Sequence, residues 1–184
     1  MTAYHWLMLV PLLALLGLAA WTDLRWRIIP NWLNLAILFA GLTRALTDPW
    51  MDIGLGRALL GALLGFGLMF IPFALNALRG GDIKLMTALG AWLGPWGIFL
   101  VFVIEKLYGL IFVLAQAAAS GKLRQLAGNS ARLAVNVAHV RDLGVEHVEE
   151  SGRKFRSIDR PLPYAVPVLA AVVTLLLWIS QSGW

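Results

Sequence analysis

The sequence predicts an all-α fold, a polytopic membrane bundle of about six transmembrane helices. Three observations carry this expectation. Only 14% of the 184 residues are charged, where a soluble domain carries about a quarter. Hydrophobic residues make up 60% of the chain, with a mean hydropathy of +0.77. Those residues are gathered into runs that cross, or nearly cross, a hydrocarbon layer of ~30 Å. Helices are the expected element, because they satisfy their backbone hydrogen bonds internally where water is absent. Residues 1–184 are read as one membrane-embedded domain with a loop at about 120–162.

The first run, Tyr4–Trp21, lacks a positively charged n-region and has no small-x-small cleavage site before Asp23. A retained helix is therefore expected rather than a cleaved signal peptide. Ile29–Pro30–Asn31 ends an extended entry to the second run, Trp32–Leu46, with Pro30 suited to a first helical turn. Leu55–Leu78 is the third. The fourth, Ile83–Leu93, is short and needs neighbours or the preceding glycine-rich turn to complete a crossing. A tight GPWG turn at Gly94–Gly97 leads into the fifth, Trp96–Ala119, and Pro163–Ile179 is the sixth. The tryptophans cluster near these boundaries, as interfacial anchors do.

Charge sets the orientation. Arg25 and Arg27 follow the first run, Arg79 and Lys84 flank the third-to-fourth connection, and eight Lys and Arg residues lie between Lys122 and Arg160. If six segments alternate, all three connections share one side, and their basic excess makes it cytoplasmic. Asp48 and Asp52 fall opposite, with Arg44 and Arg57 as exceptions, and both termini face outward. In the long loop, Leu123, Leu126, Leu133, Val137 and Val140 recur at helical spacing between arginines. Either an amphipathic helix on the lipid surface or a solvated connector fits that pattern. The net charge of +5 follows from topology, and no aromatic-interleaved basic motif points to nucleic acid.

Several chemistries are excluded or disfavoured. The chain has no cysteine, and His5, His139 and His147 are dispersed without an HExxH pair. Neither a metal nor another cofactor is expected. What remains is a pair of carboxylates. Asp23 ends the first run in WTDLRWRIIPN, and Asp82 opens the fourth in RGGDIKL. Topology brings both to one side at similar depth, although 59 positions separate them (82 − 23). Two carboxylates in one site do not both ionise cheaply and titrate as a pair. One can then take a proton from water while the other hydrogen-bonds a peptide carbonyl, which is aspartyl proteolysis. Gly80 and Gly81 allow close approach to Asp82, and Lys84 and Arg25 are candidates to position carboxylates or contact peptide carbonyls. The alternative is that both aspartates merely cap helices, although Asp23 stands at a C-terminal end, where the helix dipole disfavours it.

At these residues the sequence resembles the type IV prepilin peptidases, of the GxGD group of aspartyl membrane proteases. Asp23 followed by Ile28–Asn31 (IIPN) is similar to the first family motif, and Gly81, Asp82, Lys84 and Leu85 to the second. LPYAVP at Leu162–Pro167 is similar to the segment that opens the last helix. Arg79 stands where the first motif glycine is expected, and Ala165 where many relatives have glycine. Longer members carry a cysteine-bearing region associated with N-methylation; this chain lacks it and looks like the compact Flp/Tad-type form. The resemblance implies catalytic Asp23 and Asp82, supported by Arg25, Pro30, Asn31, Gly80, Gly81 and Lys84. It also implies a bacterial inner-membrane enzyme cutting a prepilin, with a basic leader and an apolar stem, at the cytoplasmic boundary. Glu146, Glu149 and Glu150 are candidates for contact with that leader.

Rival classes are a transporter and a non-catalytic pilus-assembly subunit. Glu105 and Lys106 favour the former, since ionisable residues within membranes mark ion or solute routes. As adjacent helical residues they point about 100° apart and are not expected to pair with each other. One or both are expected to face the bundle interior and pair with another helix.

Overall fold

The computed structural model describes residues 3–47, 54–74, 78–124, 127–129 and 163–182. Five main helices organise them: α1 Ala3–Trp26, α2 Asn31–Thr47, α3 Leu55–Ala74, α4 Gly80–Ala119 and α5 Ala165–Ser182. The described residues contain no strand. By length and hydropathy α1, α3 and α4 can cross a membrane, and α5 is a shorter apolar helix. The outward faces remain apolar, with Leu59, Leu63 and Ile71 of α3 and Leu110 and Ile111 of α4 exposed. That distribution suits a hydrocarbon solvent.

Each helix buries a narrow stripe. On α1 it runs Leu9, Leu12, Leu16, Ala19 and Asp23, alternating steps of three and four, so Asp23 stands on the core-facing register. On α2 the stripe is Asn34, Ile37, Gly41 and Arg44. On α5 it is Ala165, Val168, Val172 and Leu175. The α1 helix extends past the predicted Trp21 end, so Asp23 lies within its last turns.

The stripe of α3 is made of small residues, Ala58, Gly61 and Gly65, followed by Met69. It lets α3 and α4 pack backbone to backbone. A Cβ on Gly61 would meet the Gly90 carbonyl oxygen, and one on Gly65 the Met86 carbonyl oxygen. Close approach of this kind through a small-xxx-small pattern is how apolar helices associate without a hydrophobic driving force.

The predicted fourth and fifth segments are two arms of α4, which folds back at Gly94. There φ is 68° and ψ −178°, a backbone state that favours glycine, and Pro95 follows. Gly65 lies against both Met86 and Ile98; in a straight helix those residues would stand ~18 Å apart. The arms therefore run antiparallel along α3. Breaking the helix frees the Trp92 carbonyl, and Arg44 takes it, donating from Nη1 at 3.0 Å with its guanidinium 5.3 Å from the Trp92 ring centroid. Trp92 Nε1 in turn donates to the Ile37 carbonyl. Arg44, an exception to the charge asymmetry, is only 8% exposed and clamps the fold-back.

Candidate active site

Four helix ends converge at the opposite end of the short arm: the C-terminus of α1 and the N-termini of α2, α4 and α5. Lys84 Nζ donates to Asn31 Oδ1 at 2.9 Å, tying the first turn of α4 to that of α2. Pro30 precedes α2, and its carbonyl accepts from the Leu33 and Asn34 amides. Gly81 packs against Ile29, where an added Cβ would lie 3.3 Å from the Ile29 Cβ. Gly80 has open space around it. Of the adjacent Gly80 and Gly81, only Gly81 is under steric constraint.

Asp23 and Asp82 both lie buried in this layer, 5% and 7% exposed. The side chains acting electrostatically on Asp82 include Asp23, Arg79 and Lys106. Each carboxylate has one oxygen held by a backbone amide. Asp23 Oδ2 accepts from the Ala165 N–H at 2.9 Å. Asp82 Oδ2 accepts from the Arg79 N–H at 3.1 Å, in the first turn of its own helix. The position of Asp23 at the negative end of α1 is thus offset by the positive end of α5. Both aspartates do cap helices, but Asp23 caps one 142 positions away in sequence. Two helix N-termini, those of α4 and α5, present partial positive charge to the two carboxylates.

Arg79 fits its place without strain. Its φ of −92° and ψ of 157° are extended backbone open to any residue. Its Nη1 donates to the Arg27 carbonyl at 2.6 Å, strapping the α4 entry to the α1 exit. Arg27 is the one positive-φ residue besides glycine among the described residues, at 57°. Arg25 is exposed, its guanidinium 5.7 Å from the Trp26 ring centroid, and is not brought to the carboxylates. Glu146, Glu149 and Glu150, with most of the predicted surface helix, lie outside the described residues.

The sequence profile of the type IV leader peptidase family matches residues 10–114, more than half of the chain and both aspartates. The chain belongs to that family. Family relatives named "Prepilin leader peptidase/N-methyltransferase" include one from Xanthomonas campestris pv. campestris, 34% identical over 96 residues, covering 48% of this chain and 33% of the relative. One from Aeromonas salmonicida is 35% identical over 97 residues, 49% of this chain and 33% of the relative. One from Dickeya chrysanthemi is 36% identical over 99 residues, 50% and 34% respectively. The aligned part thus spans about a third of the length of these relatives. No solved structure matches the chain.

Two family-site neighbours differ from expectation or escaped it. Lys106 Nζ pairs with Glu105 Oε1 at 2.7 Å, contrary to the expectation that adjacent residues would not pair. Their Cα–Cβ bonds diverge, but the flexible four-carbon lysine stem folds back along the helix to reach the carboxylate. Glu105 also meets the other expectation: it is 3% exposed and accepts the Tyr164 hydroxyl at 3.0 Å from the entry to α5. Asn34 was not anticipated. It is 4% exposed, and its Nδ2 faces the Gly81 carbonyl at 3.4 Å. The available signal was a polar residue on the apolar stripe of α2, which by default marks a site within a membrane.

Proposed function

We propose that this chain is a membrane aspartyl endopeptidase that removes the basic leader of type IV, Flp/Tad-like prepilins. The observation that carries the reading is the burial of Asp23 and Asp82 within electrostatic reach of each other. Each is fixed through Oδ2 by a backbone amide, which leaves Oδ1 of each to act on water or substrate. The ionised member of the pair takes a proton from water as the water oxygen bonds to the scissile carbonyl carbon. The protonated member hydrogen-bonds the carbonyl oxygen as charge develops there. Collapse of the tetrahedral intermediate breaks the C–N bond, and the first carboxyl returns its proton to the leaving amine. No metal enters these steps.

The basic excess around Arg25, Arg27, Arg79 and Lys84 supports placing this end of the bundle at the cytoplasmic face of a bacterial inner membrane. The stem of the substrate then lies in lipid and its leader in the cytoplasm, so binding brings the scissile bond to the pair. The test is co-expression of Asp23→Asn and Asp82→Asn variants with a prepilin, read by intact mass. Each folded variant is expected to leave the leader attached. Substantial trimming by either removes the pair from the mechanism and favours a transporter or a non-catalytic assembly subunit.

A further inference from the structure

The mechanism above leaves one buried ionisable group without a task. Glu105 sits in the middle of the long arm of α4, where a carboxylate is costly and leucine would serve the packing. The charge is balanced by Lys106, whose ammonium also lies 5.0 Å from the Phe102 ring centroid and 5.5 Å from that of Tyr164. The remaining contact of Glu105 is the Tyr164 hydroxyl. Tyr164 is the residue immediately before Ala165, whose amide holds Asp23. Further along α5, Tyr108 and Thr174 join hydroxyls at 2.8 Å, a second tie between the same two helices. The described contacts therefore link Asp23, Ala165, Tyr164, Glu105 and Lys106 in one chain.

We propose that Glu105 and Tyr164 are a positioning pair that fixes the height of α5 and so aims the Ala165 amide at Asp23. The inference rests on the peptidase reading. An N–H···O bond of 2.9 Å tolerates little displacement, and the Glu105–Tyr164 contact is the tie adjacent to it, the Tyr108–Thr174 tie lying ten residues further along (174 − 164). Glu105 supplies the acceptor for the Tyr164 hydroxyl, and its pairing with Lys106 avoids a lone charge in the membrane. Neither Glu105 nor Tyr164 needs to touch the substrate for this role.

The test compares Tyr164→Phe, Glu105→Leu and Glu105→Gln with the parent chain in detergent. Tyr164→Phe and Glu105→Leu are each expected to lower kcat for prepilin cleavage by about tenfold, the effect of roughly one hydrogen bond, with KM within about twofold. Glu105→Gln retains an acceptor and is expected to stay within about threefold of the parent. The double variant Tyr164→Phe/Glu105→Leu should be no slower than Glu105→Leu alone, since that change already removes the acceptor of the Tyr164 hydroxyl. Independently of activity, hydrogen exchange at the 15N-labelled Ala165 amide should quicken in Tyr164→Phe and Glu105→Leu but not in Glu105→Gln. Parent-like kcat together with parent-like Ala165 exchange in a folded Tyr164→Phe overturns the proposal. So does a loss confined to KM. If Tyr164→Phe does not fold, the contrast between Glu105→Leu and Glu105→Gln decides by the same two readouts. Altered Ala165 exchange in a chain whose Asp23→Asn variant still cleaves would sink the peptidase assignment of Asp23 while leaving the positioning contact in place.

Discussion

Gly61→Ala adds one methyl group at the closest approach of α3 and α4. In an isolated helix this change favours the helix by about 1 kcal/mol. Here the new Cβ would press on the Gly90 carbonyl oxygen and lie 2.8 Å from the Gly94 carbonyl carbon and Cα. Carbon contacts are optimal at about 3.5–4.0 Å, so α3 must retreat by about 1 Å. Every atom it meets is backbone, so no rotamer change relieves the contact. Overpacking of this kind costs about 1–3 kcal/mol, and after the propensity gain a net loss of about 1–2 kcal/mol is expected. Gly80→Ala is the matched control: nothing lies within 4 Å of its Cβ position, and a gain of up to about 1 kcal/mol is expected. Reversible unfolding in mixed micelles, followed by far-UV circular dichroism, measures both. If Gly61→Ala proves as stable as Gly80→Ala, the backbone contact between α3 and α4 is not as described.

Arg44→Met leaves the buried Trp92 carbonyl without its guanidinium donor and should lower stability by about 1–3 kcal/mol in the same titration; unchanged stability would refute the clamp. Arg79→Gly restores the family glycine but removes the strap to Arg27, so it should cost stability, by less than about 1.5 kcal/mol at this exposed site, and should not speed cleavage. Chelation with EDTA should leave prepilin cleavage intact, and loss restored by one particular metal would overturn the carboxylate-only mechanism. Neutralising Glu146, Glu149 and Glu150 together should raise KM more than it lowers kcat, most strongly at low salt. A fall in kcat alone would place the long loop in the chemical step.

The helical class and the apolar runs were legible because apolar length is a direct physical requirement of crossing lipid, while α1 runs on to Trp26 and the fourth and fifth runs form one folded-back helix. The two aspartates were legible because carboxylates beside hydrocarbon have few inexpensive explanations, and because charge asymmetry put them on one side. The partners of those carboxylates were not. Asp23 is held by a main-chain amide 142 positions away, and a backbone N–H leaves no mark on the residue type that supplies it. Arg79 read as a defect in a glycine motif, since sequence does not report that its backbone is extended. The role of Gly61 and Gly65 was not read from the sequence, because which helix they meet depends on the fold-back at Gly94. The Glu105–Lys106 pair was missed because helical angles alone ignore the reach of a lysine side chain.

The unequal arms of α4 have a consequence for hydration. Asp82 stands twelve residues from the fold-back at Gly94 (94 − 82), or ~18 Å, while the other arm continues to Ala119, ~20 Å beyond the level of Lys106. At the level of Asp82, α1 ends and α2, α4 and α5 begin, so only α3 and the long arm rise further among the described helices. Among the described residues, Asp82 is therefore ringed by helix ends, with the non-helical backbone of Leu78 and Arg79 close by in sequence. Backbone of that kind at membrane depth must either be buried in protein or face water. If water solvates this stretch, it reaches the layer of the two aspartates without crossing lipid. On the peptidase reading, a helical substrate would have to release its own backbone hydrogen bonds at this layer, exchanging them for water, before a carbonyl becomes open to attack.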